Sequence, residues 1–138
     1  MELRIYSPQK EIFTGKIKEI YVPTLEGDYG IYEGHSPIFL ALSLGEINFT
    51  DDNNKKTVLA ISDGLLRIDN NIIFIEVISG IYPHEIDIDK IIKEKEALEL
   101  KLKQVKETSK IKRMQSTLKI HSLHISTYNK YIKKQHHI

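Results

Sequence analysis

The sequence of 138 residues contains no cysteine, no tryptophan and only 4 prolines. Without cysteine the chain forms no disulfides, has no thiol nucleophile and binds no metal through thiolates. It also lacks a run of about 18 consecutive apolar residues, the length of a membrane-spanning helix. The first residues do not combine a basic segment with an apolar run, so we expect no secretory signal. Any work at a membrane is therefore expected to proceed through a partner.

No acidic residue follows Glu107, although the net charge of the whole chain is only +1. Residues 1–85 carry a net charge of −6, and residues 86–138 carry +7. The hydrophobic share of 41% and the charged share of 28% are typical of a folded protein. The charge split indicates two modules with different electrostatic partners, although a solvated basic helix explains the positive end equally well.

The first 85 residues show the signals of short β-strands. Three stretches alternate polar and apolar side chains, and two are apolar on both faces, as in a sandwich core. The alternating stretches are 2–6, 46–49 and 66–68, and the apolar ones are 58–61 and 72–75. Gly, Asp and Asn separate them at short intervals, and no helical crossover intervenes. An antiparallel sandwich or barrel is predicted.

From residue 86 the apolar period changes to steps of three and four, which predicts helices. Asp87 is placed to cap the first helix, and Thr108 with Ser109 supplies a break and a second cap. The first stripe is Ile88, Ile91, Leu98, Leu102 and Val105, and the second is Ile111, Met114, Leu118, Ile125, Tyr128 and Ile132. We therefore expect an α+β chain with a β-domain at 1–85 and an antiparallel helical hairpin at 86–138.

One polar residue interrupts each helical stripe, Lys95 in the first helix and His121 in the second. A hairpin folded about residue 108 places these side chains opposite each other. Facing cations weaken the hairpin unless His121 is neutral or a carboxylate such as Glu99 joins them. This layer either makes the hairpin easy to open, or Lys95 reaches solvent and His121 is an ordinary half-buried histidine.

No catalytic or metal-binding constellation is complete. Ser62–Gly64 and His35–Pro37 contain nucleophile and base letters without the G-x-S-x-G context. The glycines of residues 27–34 match neither a P-loop nor a dinucleotide fingerprint. His121 and His124 are i, i+3 on a helix but lack a carboxylate partner in the pattern, so no metal is expected. The basic helix lies in no nucleic-acid module. The residues alone predict an interaction protein.

The segment Glu26–Pro37, EGDYGIYEGHSP, resembles the E-G-x-x-G-x-x-x-G-H-x-P element of epsilon subunits of F-type ATP synthases. Phe13–Gly15 and Leu44–Ile47 fall where that family has them. Ile61–Ile68 resembles the family's S-G-G-hydrophobic run, with Asp63 in place of the usual glycine. The resemblance covers essentially the whole chain and is strongest in its first 80 residues.

This resemblance implies a ten-stranded antiparallel β-sandwich that binds the gamma subunit and the ring of c subunits. The family's ring-facing positions fall on Asp28 and His35, to which we add Glu26 and Tyr32. A carboxylate at this place suits the polar, basic loops of c subunits. In the simpler reading, Asp28 only caps a turn and His35 bonds within its loop.

The C-terminal hairpin of such subunits either folds onto the sandwich or extends into the catalytic head and blocks rotation in the hydrolysis direction. An all-basic helix fits an acidic segment of the catalytic subunits. By the resemblance, alpha and beta subunits are the partners of the extended hairpin. The candidate basic residues are Lys112, Arg113, Lys119, Lys130, Lys133 and Lys134.

Some relatives bind ATP through a motif of the form I/L-D-x-x-R-A. The corresponding positions here are Ile86, Asp87 and Lys90, followed by Ile91 in place of alanine. Lysine lacks the planar guanidinium fork of the family's arginine, which argues against ATP as a regulatory ligand. The alternative function is a free ATP-binding regulatory protein, against which this substitution counts. A third interpretation is a small β-barrel hydrolase, but the sequence offers no nucleophile–base pair for it.

Taken with the residue-level reading, the resemblance implies a non-catalytic subunit of the rotor's central stalk. It implies no cofactor and no nucleic-acid partner. The expected location is the cytoplasmic face of the bacterial plasma membrane, reached only through the complex.

Overall fold

The computed structural model describes residues 1–133 and divides the chain into two compact units, Met1–Tyr82 and Pro83–Ile138. The predicted boundary after residue 85 lies three residues later. The difference arises because Pro83–Glu85 form a 3-10 turn that contacts the second long helix and so joins the C-terminal unit.

Nine strands form the first unit, and the chain connects them by short turns. They are β1 (Glu2–Tyr6), β2 (Glu11–Thr24), β3 (Gly27–Tyr32), β4 (Ile38–Leu42), β5 (Gly45–Asp51), β6 (Lys56–Ile61), β7 (Gly64–Asp69), β8 (Ile72–Val77) and β9 (Gly80–Ile81). Strand β3 includes two of the glycines of residues 27–34, for which the sequence predicted no strand. Its alternation is hidden because Gly30 stands at an outward position and Gly27 at an inward one.

Two sheets make the sandwich, and the long strand β2 belongs to both. One sheet has the order β4-β7-β8-β1 followed by the first half of β2, and the other contains β3, the second half of β2, β5, β6 and β9. Counting β2 once in each sheet gives ten strand segments, so the sandwich prediction is confirmed. The pairing is antiparallel, as predicted, except that β1 and β8 run parallel.

The core between the sheets is made of aliphatic side chains that alternate along their strands. Leu3 and Ile5 of β1 and Ile73 and Ile75 of β8 are each 0% exposed. On the opposite face of β8, Phe74 has guanidinium groups over its ring, Arg67 at 4.3 Å and Arg4 at 5.4 Å from the centroid. Strand β8, whose sequence is apolar on both faces, is therefore buried on one face and covered by arginine side chains on the other.

The second unit contains the 3-10 turn and two helices, α1 (Ile88–Leu102) and α2 (Thr108–Tyr131), which pack against each other. Asp87 caps α1 as predicted, and its side chain accepts a hydrogen bond from the backbone nitrogen of Lys90 at 3.3 Å. The predicted cap at Thr108 is wrong. Glu107 holds the boundary position, because its carbonyl accepts the first helical bond from Ile111, and it makes no side-chain cap.

Full burial is rare in the hairpin. Helix α1 has no fully buried residue and α2 has one, Thr127. Residues of α1 and α2 line a shared cavity of about 350 Å³, with Glu94 near His121 and Lys101 near Thr117, so the two helices run antiparallel. In residues 1–133 no helix is both long and apolar enough to cross a membrane.

Candidate functional site

The tip of the β2–β3 hairpin is a tight turn that points three consecutive residues into solvent. The hydroxyl of Thr24 accepts a hydrogen bond from the Glu26 backbone nitrogen at 3.2 Å and donates to the Gly27 carbonyl at 2.6 Å. Gly27 adopts φ +115°, which is strained for any side chain with a Cβ. The turn leaves Leu25 96% exposed, with Glu26 beside it.

The outer face of β3 carries two of the predicted contact residues. Asp28 and Tyr32 lie on this face with Gly30 between them, because side chains alternate along a strand. Both are exposed, whereas Ile31 on the inner face is fully buried. The Asp28 carboxylate is thus held on a paired strand and not on a mobile loop.

A second tyrosine supports this face from the neighbouring strand. Tyr21 of β2 lies opposite Gly30, and a Cβ on that glycine would come within 2.9 Å of the Tyr21 ring. The Tyr21 and Tyr32 hydroxyls hydrogen-bond to each other, and their rings meet edge to face. The hydrogen bond to Tyr32 raises the pKa of Tyr21 to about 12. Gly30 therefore makes room for the ring that orients Tyr32.

His35 lies in the connection between β3 and β4, and both of its ring nitrogens are hydrogen-bonded. Nδ1 lies 2.7 Å from the Ser36 carbonyl oxygen, and Nε2 lies 2.8 Å from the Tyr29 hydroxyl. A carbonyl only accepts, so Nδ1–H donates to Ser36 and Nε2 accepts from Tyr29 in the neutral ring. Gly34 precedes the histidine with φ +82°. The half-buried imidazole restrains its own loop, which matches the simpler reading of the sequence.

Glu33 ties the same connection to the turn between β7 and β8. Its Oε1 accepts from the Asn71 side chain at 3.3 Å. This bond, followed by the amino group of Met1, lowers the pKa of Glu33. The connection is therefore restrained at its start by Glu33 and in its middle by His35.

Of the predicted contact residues, Glu26, Asp28 and Tyr32 share the outward side of the β2–β3 hairpin, and His35 lies apart in the next connection. The sequence reading did not single out Tyr21, Leu25 or Tyr29. The two tyrosines could have been found once β2 and β3 were recognised as paired strands. Tyr21 then lies opposite Gly30, and Tyr29 lies opposite Val22.

The predicted basic residues of α2 are exposed. On an ideal helix with 3.6 residues per turn, Lys112, Lys119 and Lys130 fall within about 20° of one another and on the side away from the apolar stripe. Arg113 is displaced from that line, and Lys133 follows the helix end at Tyr131. Lys134 lies outside the described residues. The described cations thus form a basic stripe, defined here as Lys112, Lys119 and Lys130.

The polar residues of the hairpin seam do not oppose each other as predicted. Nε2 of His121 lies 3.5 Å from the Glu94 carboxylate, and Lys95 pairs with Glu99 of its own helix at 3.8 Å. Lys95 lines a separate groove with Ser122, Ile125, Ser126, Asn129 and Lys130. Compared with the predicted hairpin, Glu94 and not Lys95 lies next to His121, which corresponds to a shift of about one residue between the facing positions of the two helices.

Two histidine nitrogens on α2 are buried without a hydrogen-bond partner, Nδ1 of His121 and Nδ1 of His124. Burial, and then the proximity of His121, lowers the pKa of His124. In the described part of the chain, no three His, Cys, Asp or Glu side chains gather to hold a metal ion.

The positions aligned with an ATP motif have partners within the protein. Asp87 caps α1, the Lys90 ammonium lies 4.0 Å from the Glu94 carboxylate, and Ile86 is buried. Local structure thus accounts for all three residues.

Comparison with known proteins gives a consistent family. Residues 1–94 match the family model of the ATP synthase delta/epsilon chain, β-sandwich domain. The ATP synthase epsilon chain of Wolinella succinogenes is 33% identical over 69 residues, covering 50% of this chain and 53% of the relative. The epsilon chain of Psychrobacter arcticus is 24% identical over 131 residues, covering 95% of both.

Two solved structures share the fold. A chain of the Euglena gracilis mitochondrial ATP synthase superposes with a TM-score of 0.74 at 22% identity, covering 87% of this chain and 76% of that one. A chain from the central stalk and c-ring of the Tetrahymena thermophila mitochondrial ATP synthase gives 0.64 at 14% identity, covering 92% and 95%.

Proposed function

This chain belongs to the epsilon chains of ATP synthase, and from that membership we propose that it works in the central stalk of the rotor. It is a non-catalytic subunit. In the proposal, the sandwich couples the catalytic head to the c-ring, and the hairpin inhibits ATP hydrolysis. The complex, and not the chain itself, provides attachment to the cytoplasmic face of the bacterial plasma membrane.

The ring contact is proposed at the tip of the β2–β3 hairpin. Glu26 and Asp28 present carboxylates there, Tyr32 presents an oriented hydroxyl, and Leu25 adds exposed apolar surface. Carboxylates on a rigid strand pair suit the polar, basic loops of c subunits. His35 takes part indirectly, because its hydrogen bonds restrain the neighbouring connection. The outward placement of Asp28 on a paired strand is the observation that carries this proposal.

Gamma is proposed to dock on the sandwich at an apolar groove. The groove has a volume of about 630 Å³ and is lined in part by Tyr6, Pro8, Leu65 and Ile78. Leu65 and Ile78 are 48% and 66% exposed. Large exposed apolar side chains around a groove mark interaction sites on folded proteins.

The hairpin is proposed to reach the alpha and beta subunits in its extended form. The basic stripe supports this role, since it leaves three lysines in solvent on one side of α2. Such a surface is complementary to an acidic segment and is expected to weaken with salt.

The test measures ATP hydrolysis by a reconstituted catalytic head with gamma. The full chain and a version that ends at Glu85 are added separately, and binding is followed in parallel. We expect both to bind and only the full chain to suppress hydrolysis. If both bind and neither inhibits, the hairpin is structural. If neither binds, the stalk assignment is wrong.

The ring contact has its own test with a matched control. Asp28→Lys reverses a charge on the proposed contact face, and Asp52→Lys reverses one in the exposed turn after β5. Binding to c-ring-containing complexes is expected to fall for Asp28→Lys by about threefold or more at low salt. Equal binding by the two variants would place the contact elsewhere.

A further inference from the structure

The two histidines of α2 occupy positions where the helix packs against the rest of its unit. His121 and His124 are one turn apart, and neither Nδ1 has a hydrogen-bond partner. Buried polar atoms are normally paired, so these nitrogens carry a cost that an aliphatic side chain would avoid. Few of the described side chains of the hairpin are fully buried, so this cost is a large part of what determines whether α2 stays packed.

Several charged groups surround the pair. On the far side of the cavity, Glu94 lies 3.5 Å from His121 Nε2, so a protonated His121 forms an ion pair with it. Within residues 1–133 no carboxylate is paired with His124, and the charged group that disfavours its protonation is His121. The charged groups that α1 and the 3-10 turn bring to α2 are Glu94, Lys95, Lys101, His84 and Glu85.

We propose that the histidine pair is an acid-sensitive latch, in which protonation of His124 releases α2 from its packed position. A charge on His124 loses solvation in the packed state and meets a second imidazole one turn away. Releasing the helix returns both rings to water. Control of inhibition by this latch rests on the function proposed above. The release of α2 on protonation does not depend on that function.

The direction of the pH dependence follows from the cause of the shift. The packed helix lowers the pKa of His124 below its ordinary value of 6.5, so packing favours the neutral ring. The stabilising effect is complete above the ordinary value and is lost as the pH falls through it toward the folded value. Acid therefore favours release, and neutral to alkaline pH favours the packed hairpin.

The test is amide hydrogen exchange of the isolated full chain, measured by mass spectrometry at about pH 7.5 and about pH 5.5 and corrected for the intrinsic rate. Protection of α2 is expected to fall by up to about tenfold between these two pH values, because pH 5.5 lies about one unit below the ordinary pKa of histidine. Strand β8, in the sandwich core, is the internal control and should keep its protection.

Two variants locate the effect. His124→Leu removes the titrating ring, so the protection of α2 should become insensitive to pH. His84→Gln removes the histidine of the 3-10 turn, and the response should persist. Unchanged α2 protection in the wild type, or an undiminished response in His124→Leu, would overturn the proposal.

If His124→Leu fails to fold, the wild-type chain still decides the matter. Its imidazole Cε1–H resonances are titrated by NMR. A midpoint for His124 below the ordinary histidine pKa of 6.5 supports the latch, and a midpoint at or above that value contradicts it. None of these measurements requires another ATP synthase subunit. Failure to bind the catalytic head would therefore count against the stalk function and leave the latch intact.

Discussion

The sandwich and the hairpin stabilise themselves in different ways. In the sandwich, aliphatic residues from facing sheets are removed from water completely, and the proposed contact residues lie outside that core. The described hairpin residues include only Ile86 and Thr127 in the buried class, and its seam contains a contact between His121 and Glu94 and two unpartnered imidazole nitrogens. The first region is suited to hold a fixed surface, and the second to change its packing at low cost.

The largest effect is expected in the core. Ile75 of β8 is 0% exposed, and Ile75→Ala should lower the free energy of unfolding by about 2–5 kcal/mol through lost burial and a residual cavity. Urea unfolding followed by tyrosine fluorescence measures this, since the chain has no tryptophan. Leu118→Ala, in the half-buried seam, is the comparison and should cost clearly less. Equal costs would erase the distinction between the two regions.

Loss of the α1 cap should have a smaller effect, confined to the helical unit. Asp87→Ala removes the side chain that accepts from the Lys90 nitrogen, which typically costs about 0.5–2 kcal/mol. Circular dichroism at a helix wavelength against temperature reports the hairpin selectively. Thr108→Ala is the matched control at the start of α2, where no side-chain cap exists. A loss for Thr108→Ala as large as that for Asp87→Ala would show that caps do not explain the helix boundaries.

Removal of the Tyr29 hydroxyl should loosen one connection of the otherwise rigid sandwich. Tyr29→Phe leaves His35 Nε2 without its donor, at a cost of about 0.5–1.5 kcal/mol. Faster amide exchange is expected in residues 33–37, while β8 remains protected. The control is Tyr32→Phe, which removes a hydroxyl from the same strand on the opposite face. If both variants loosen residues 33–37 equally, His35 does not restrain the connection through Tyr29.

The smallest effect concerns the exposed tyrosine pair. In Tyr32→Phe, the pKa of Tyr21 should return from about 12 toward its ordinary value of 10.0. Because the folded value is raised, the pair stabilises the fold below the ordinary pKa and loses that effect as pH rises through the folded one. NMR titration of the Tyr21 ring carbons measures the shift. A Tyr21 midpoint that does not move in the variant would exclude the hydrogen bond as its cause.

Local signals in the sequence predicted the parts of the structure that local physics determines. The alternation of Leu3 and Ile5 and the cap at Asp87 depend on neighbours within a few residues, and both are confirmed. The parallel pairing of β1 with β8 joins residues about 70 positions apart and has no local signature. Strand β3 was missed because glycines on both of its faces, Gly27 and Gly30, concealed the alternation.

The candidate functional residues also divide into those that local sequence patterns predict and those that depend on distant pairing. Outward placement of Asp28 and Tyr32 follows from strand alternation once β3 is recognised, and Glu26 is exposed because it lies in the turn before that strand. The internal hydrogen bonds of His35 require the position of Tyr29, which depends on the pairing of β2 with β3. The pairing of His121 with Glu94 depends on the rotation of each helix about its axis, which a repeat of apolar residues fixes only to within a residue.

Strand β2 also has a mechanical consequence. Its 14 residues extend about 45 Å as one covalent backbone, from the sheet that holds β1 to the exposed turn at Leu25. A load applied at that turn along the direction of the strand is transmitted as tension through this backbone into both sheets. The layers cannot slide past each other without shearing the ladders of β2 with β1 and with β5. Strand β2 therefore connects the exposed turn at Leu25 mechanically to both sheets of the sandwich.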